Sequence, residues 1–163
     1  MNIIITADTH LPSGKRTLPK RLLKACGTAD LIIHAGDWKT MDVYETLSAY
    51  TDVKGVTGNV DEDNIRSILP EQERLEIAGF KIGIVHGHGE KQTTEKRALA
   101  AFAGEDMDVI IYGHSHIPHI RYFGKTLLIN PGSPTDKRKL PYYSFAILKV
   151  TDILRAELVF FKE

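Results

Sequence analysis

Five short apolar runs, at residues 2–6, 31–34, 53–57, 80–85 and 109–112, recur through the first two thirds of the chain, with turn residues at their ends. Runs of this length read as buried strands. Between them lie stretches with helical spacing, at residues 19–26, 41–50 and, most clearly, 93–103. Strand and helix in alternation specify an α/β core. After Tyr112 the pattern changes to strands joined by turns, at residues 120–123, 127–129, 143–150 and 155–161, with Gly124-Lys125 as a tight hairpin turn. The expectation is an α/β fold in which a meander of later strands helps form two packed sheets, with helices outside.

A chain of 163 residues, 42% of them hydrophobic, is long enough for one domain with a proper core. No repeat and no Pro/Gly/Ser-rich linker divides it, so a single domain over residues 1–163 is expected. Lys+Arg and Asp+Glu both number 21. There is no global basic field to gather nucleic acid by counterion release, and an anionic ligand must be attracted locally. Trp38 and the sparse other aromatics lack the interleaved basic and aromatic pattern of a nucleic-acid reader. The lone cysteine, Cys26, excludes an internal disulfide and a Cys-based zinc site, and reads as a core residue in a reducing compartment. Residues 1–7 are apolar but run straight into Asp8 and His10 without a basic leader, as a strand does and a signal peptide does not. No apolar run approaches the roughly 20 residues of a membrane helix. A soluble, cytoplasmic protein with no membrane partner is expected.

Each of the five runs ends on polar, metal-capable residues. Asp8 and His10 follow the first, Asp37 the second, Asn59 the third, His86 and His88 the fourth, and His114 and His116 the fifth. In α/β sheets ligands bind outside the carboxyl ends of the strands, so these residues should converge on one crevice. Glycines before Asp37, Asn59 and His114 suit sharp turns and close backbone approach there. The i, i+2 spacing of Asp8 with His10, and of His114 with His116, would in extended chain send both side chains of a pair to one face. Three oxygen donors and four imidazoles, without a thiolate, suit Mn²⁺, Fe²⁺, Ni²⁺ or Zn²⁺. Seven donors are too many for one ion, and two ions sharing a carboxylate account for them.

These residues, together with Gly58-Asn59-Val60-Asp61, His86-Gly87-His88 and Asn130-Pro131-Gly132-Ser133, resemble the calcineurin-like metallophosphoesterases, and among them the small phosphodiesterase branch of bacteria and archaea. The resemblance runs over nearly the whole chain. It implies a four-layer αββα sandwich of two mixed sheets. It also implies one divalent ion on Asp8, His10 and His116, a second on Asn59, His86 and His114, and Asp37 bridging both, with manganese the first choice of metal. The reaction implied is hydrolysis of a small phosphodiester by a hydroxide bridging the ions. Asp61 and His88 would support it from behind or beside the site. Larger relatives carry His directly after the metal-binding Asn, where this chain has Val60, which leaves the leaving-group acid unassigned and favours diesters over monoesters. Self-association into a homo-oligomer is a further expectation from such relatives. The same fold also includes the retromer sorting subunit, a protein-assembly scaffold, and nucleases. A complete ligand set speaks for an enzyme over the scaffold, and neutral charge speaks against a nuclease.

Other polar residues take plainer readings. His34 sits inside an apolar strand and reads as a hydrogen-bonded core histidine, and His119 as an exposed one. Asn130-Pro131-Gly132-Ser133 reads as a turn packed beneath the site. Lys15 and Arg16, beside Gly14 and just after the first motif, could help hold a phosphate, and Lys137, Arg138 and Lys139 form another basic run; charge runs are usually solvated faces, and that is the first reading of both. Loops at residues 11–18 and 134–141 are where specificity would lie.

Overall fold

The fold follows from which face each apolar run buries. A computed structural model describes residues 1–14 and 17–162. Strand β1 (Asn2–Thr6) places Ile3 and Ile5 in one core and Ile4 in another. Strand β2 (Leu31–His34) does the same with Leu31 and Ile33 against Ile32. A strand buried on both faces needs apolar residues at every position, which is why these runs are continuous. Among the described residues β1 and β2 pair in parallel, β2 pairs in parallel with β3 (Val53–Gly55), and the hairpin of β9 (Tyr143–Val150) and β10 (Leu154–Phe161) extends the other side, in the order β10-β9-β1-β2-β3.

The second sheet has the order β4-β5-β6-β8-β7, formed by β4 (Gln72–Ile77), β5 (Phe80–Val85), β6 (Val109–Tyr112), β7 (His119–Phe123) and β8 (Thr126–Asn130). Its parallel centre is β5-β6-β8, with antiparallel edges. Ile82, Ile84, Val109, Ile111, Leu127 and Ile129 face the first sheet and meet Ile3, Ile5 and Ile33 in the central core. On the outer side of the first sheet lie α1 (Lys20–Cys26), α2 (Met41–Ser48) and α3 (Asp63–Ile68), through Leu22, Cys26, Val43, Leu47 and Ile65. Helix α4 (Thr94–Ala101) covers the outer side of the second through Ala98, packed with Phe102, Ile110 and Tyr112. The result is the expected αββα sandwich of two mixed sheets.

Three details depart from the sequence reading. The later strands are two hairpins shared between the sheets rather than one meander, because β8 finds a parallel partner in β6 and β9 an antiparallel partner in β1. The third strand stops at Gly55, after which Val56 and Thr57 donate to the carbonyls of His34 and Pro70. Helix α3 and edge strand β4 were absent from that reading; β4 alternates between solvent and core and turns into β5 at Ala78-Gly79, both with positive φ.

Candidate metal centre

The strand-end residues converge as their positions require, by a backbone route other than extended chain. Among the described non-glycine residues nine have positive φ, and five of these are Asp8, His10, Asp37, His114 and His116. The left-handed conformation costs about 1 kcal/mol or more at each, and such strain gathers at functional sites. It is held by a mesh of backbone bonds: Asp8 and His10 donate to the carbonyls of Gly36 and Asp37, each at 3.0 Å, and Gly113 donates to His86 at 3.3 Å. The His114 N–H donates across the sandwich to Asp8 Oδ1 at 3.1 Å. The i, i+2 pairs therefore behave differently: His10 stays with Asp8, whereas His114 and His116 part to serve two groups.

Those groups are Asp8, His10 and His116, and Asp37, His86 and His114, with the donor atoms of each within 4.8 Å of one another. They share a centre. Asp37 Oδ2 lies 3.4 Å from His10 Nε2 and 3.2 Å from His86 Nε2, so one oxygen faces both groups. Asp8 Oδ1 lies 3.6 Å from His116 Nε2. His10 Nε2 and His116 Nε2 face each other at 3.2 Å. Because carbonyls only accept, the ring contacts to Ala35 O at 2.7 Å and Asp136 O at 2.6 Å put the protons of neutral His86 and His116 on Nδ1, leaving the Nε2 lone pairs turned inward. His86 Nε2 and Asp8 Oδ2 are buried without a hydrogen-bond partner. Buried donors left open in this way, in a hard oxygen and imidazole set, fit divalent cations.

The charges agree with that fit. Burial pushes the Asp37 carboxyl up, but His86 beside it, the Val60 N–H and His10 outweigh this and hold it at about 2. His86 is disfavoured as a cation by burial, yet Asp37 and Asp8 raise its pKa overall. His114 moves the other way, lowered by burial and by the charge His86 carries when protonated.

The comparisons with known proteins point the same way. Residues 1–153 match the model of the calcineurin-like phosphoesterase superfamily domain. The chain belongs to that superfamily. It is 38% identical over 160 residues to the "probable metallophosphoesterase" of Methanocaldococcus jannaschii, covering 98% of this chain and 81% of the relative. To that of Methanothermobacter thermautotrophicus it is 34% identical over 162 residues, covering 98% and 92%. Its fold is like that of wild-type Vps29 of Entamoeba histolytica complexed with zinc, with a TM-score of 0.75 at 24% identity over 99% of this chain and 100% of that one.

Around the centre of this superfamily member the remaining residues sort by contact. Asn59 is exposed, set between Gly58, which packs on Asp37, and Val60, whose N–H donates to Asp37 Oδ1 at 3.1 Å. Both Asp61 oxygens are spent on backbone, accepting from Lys39 and Gly58 N–H, each at 2.7 Å. Asp61 thus shapes the Asn59 loop from behind, one backbone N–H bound to each of its oxygens. His88 is exposed at the rim, its ring 5.6 Å from that of His86 and 6.4 Å from that of His114. His34 is a core residue as expected, stacked on Trp38 and 3.2 Å from Thr9 Oγ1. The 130–133 turn does lie beneath the site, with Asn130 Nδ2 donating to Gly113 O and Ser133 Oγ to Asp8 O.

Two plain readings need correction. His119 is half-buried, its Nε2 2.5 Å from Tyr112 Oη and 3.4 Å from Glu95, because β6 and α4 bring partners the sequence keeps far apart. The 137–139 run is not uniform solvated charge: Arg138 Nη2 lies 3.4 Å from His116 Nε2. Lys15 and Arg16 lie outside the described residues.

Proposed function

We propose that residues 1–163 form one phosphoesterase domain whose centre takes two divalent cations and hydrolyses a small phosphodiester. The observation that carries this is the position of Asp37 Oδ2, within 3.4 Å of an imidazole nitrogen from each donor group. Asp8, His10 and His116 would hold one ion, Asn59, His86 and His114 the other, and Asp37 both. Bound there, the cations supply Lewis acidity to phosphoryl oxygens and activate water near neutral pH. Mn²⁺ is the first choice, with Ni²⁺, Fe²⁺ and Zn²⁺ compatible with the same donors.

The residues of the chain hold the geometry. Ala35 O and Asp136 O orient His86 and His116, and the His114 N–H fixes Asp8. Val60 follows Asn59 where larger relatives carry an imidazole, and it is this resemblance to the smaller branch that favours diesters over monoesters. A surface hollow of about 350 Å³ lies against α4, lined by Thr93, Thr94, Glu95, Tyr112, Ser115 and His119 and by none of the proposed ligands.

The test is to strip the protein with chelator and assay a chromogenic phosphodiester beside the matching monoester, adding Mn²⁺, Ni²⁺, Zn²⁺ or Mg²⁺ singly. Metal-restored cleavage favouring the diester supports the reading. A protein that binds metal and cleaves neither ester refutes it and leaves an assembly role of the same fold as the better account.

A further inference from the structure

Within the 137–139 run the three cations are not equivalent. Lys137 is committed locally, its Nζ donating to Leu140 O at 2.9 Å and lying over the Tyr143 ring. Arg138 instead turns toward the centre, on a left-handed backbone with φ of 52°. Asp136 holds it there, with Oδ1 accepting from the Arg138 N–H at 3.3 Å and Oδ2 lying 3.3 Å from Nε. The same Asp136 accepts from His116 through its carbonyl and donates through its N–H to Ser133 Oγ at 2.8 Å. The guanidinium is therefore mounted on the loop that supports two ligands. Its side chain is about 60% exposed, and Nη1 makes no hydrogen bond among the described residues.

We propose that Arg138 binds the phosphate of the substrate, donating to its non-bridging oxygens at the His116 side of the centre. The proposal rests on the phosphoesterase reading. The lone pair on His116 Nε2 can accept from Arg138 or bind a cation, and one excludes the other. With two divalent ions in place, the two carboxylates of Asp8 and Asp37 leave a surplus of positive charge, and a guanidinium beside it gains nothing from the metals. It gains from an anion lying over them. A planar fork of donors matches two oxygens of one phosphate, and its fixed charge meets the negative charge that builds up on them during transfer.

The experiment compares wild type with R138A, R138Q and R138K in the full chain loaded with Mn²⁺. Calorimetry measures the affinity for inorganic phosphate and, separately, for the metal, and steady-state assays follow the chromogenic diester. The expected result is phosphate binding weakened about tenfold or more in R138A and R138Q and less in R138K, with metal affinity within about twofold of wild type. The kcat/KM for the diester should fall by about 10²-fold in R138A and recover in part with millimolar guanidinium ion. Unchanged phosphate affinity, absence of phosphate binding by the wild type, or a parallel loss of metal affinity would each overturn the assignment. A wild type that binds phosphate but cleaves no ester would count against the phosphoesterase reading, while the Arg138 comparison would still be decided by binding.

Discussion

Gly58 packs so closely on Asp37 that a Cβ at position 58 would overlap the Asp37 carboxylate, its Oδ1 and its backbone nitrogen. The third strand-end loop thus rests directly on the aspartate that ends the second. Gly58→Ala should push Asp37 aside, cost about 1–3 kcal/mol of stability as other overpacking does, and weaken metal binding by tenfold or more. Thermal unfolding with and without metal, followed by metal titration, measures both effects. Wild-type metal affinity in this variant would show that Asp37 is not a required ligand.

Acid should find the Asp37–His86 pair first in the metal-free protein. The Asp37 carboxyl is held at about 2, below its ordinary 3.8. A depressed acid contributes stability that is present above 3.8 and lost as pH falls toward about 2, on the order of 2 kcal/mol. His86 is shifted upward, so its share is present below 6.5 and fades as pH rises through its folded value. Urea unfolding of stripped protein from pH 2 to 5 should reveal the acid limb, and Asp37→Asn should flatten it. The same variant should load no metal and show no turnover.

Arg97 encloses the loop that carries His88. Its Nε donates to Gly87 O at 2.7 Å, and Nη1 donates to Gln92 O at 2.6 Å and Lys91 O at 2.9 Å. Arg97→Ala should cost about 1–2 kcal/mol and loosen residues 86–92, because three carbonyls lose one common donor. Hydrogen exchange across that loop should accelerate while the strands stay protected, and uniform acceleration would mean the clamp is global instead. Arg97→Lys should restore little, since one ammonium cannot span the three acceptors.

How much of this was legible depended on whether a residue's environment is written in its neighbours. Ile3, Ile4 and Ile5 announce a strand buried on both faces, and the polar residue after each such run marks a strand end. Strand β4 was passed over because Gln72, Glu73, Arg74 and Glu76 dilute its apolar alternation on an edge that faces water. The converging residues could be chosen from position alone, but the left-handed backbone at Asp8 and His116 could not, since local propensity opposes it and only the mesh of the finished fold maintains it. The surroundings of His119 and Arg138 are hidden from the sequence for one reason. Their partners Tyr112 and His116 lie 7 and 22 positions away, and the direction of each side chain is decided by strands and turns that meet only in the folded chain.

Both donor groups draw members from both sheets: Asp8, His10 and Asp37 follow β1 and β2, whereas His86, His114 and His116 follow β5 and β6. His10 and His116 are 106 positions apart. An ion held by such a pair acts as a non-covalent cross-link closing a loop of that length, and removing chain freedom of this order from the unfolded state is worth about 4–5 kcal/mol for a covalent link. Chelation would then return that freedom to the unfolded chain and leave the folded isoleucine layer as it is, so that removing the ions lowers the temperature at which the sheets part.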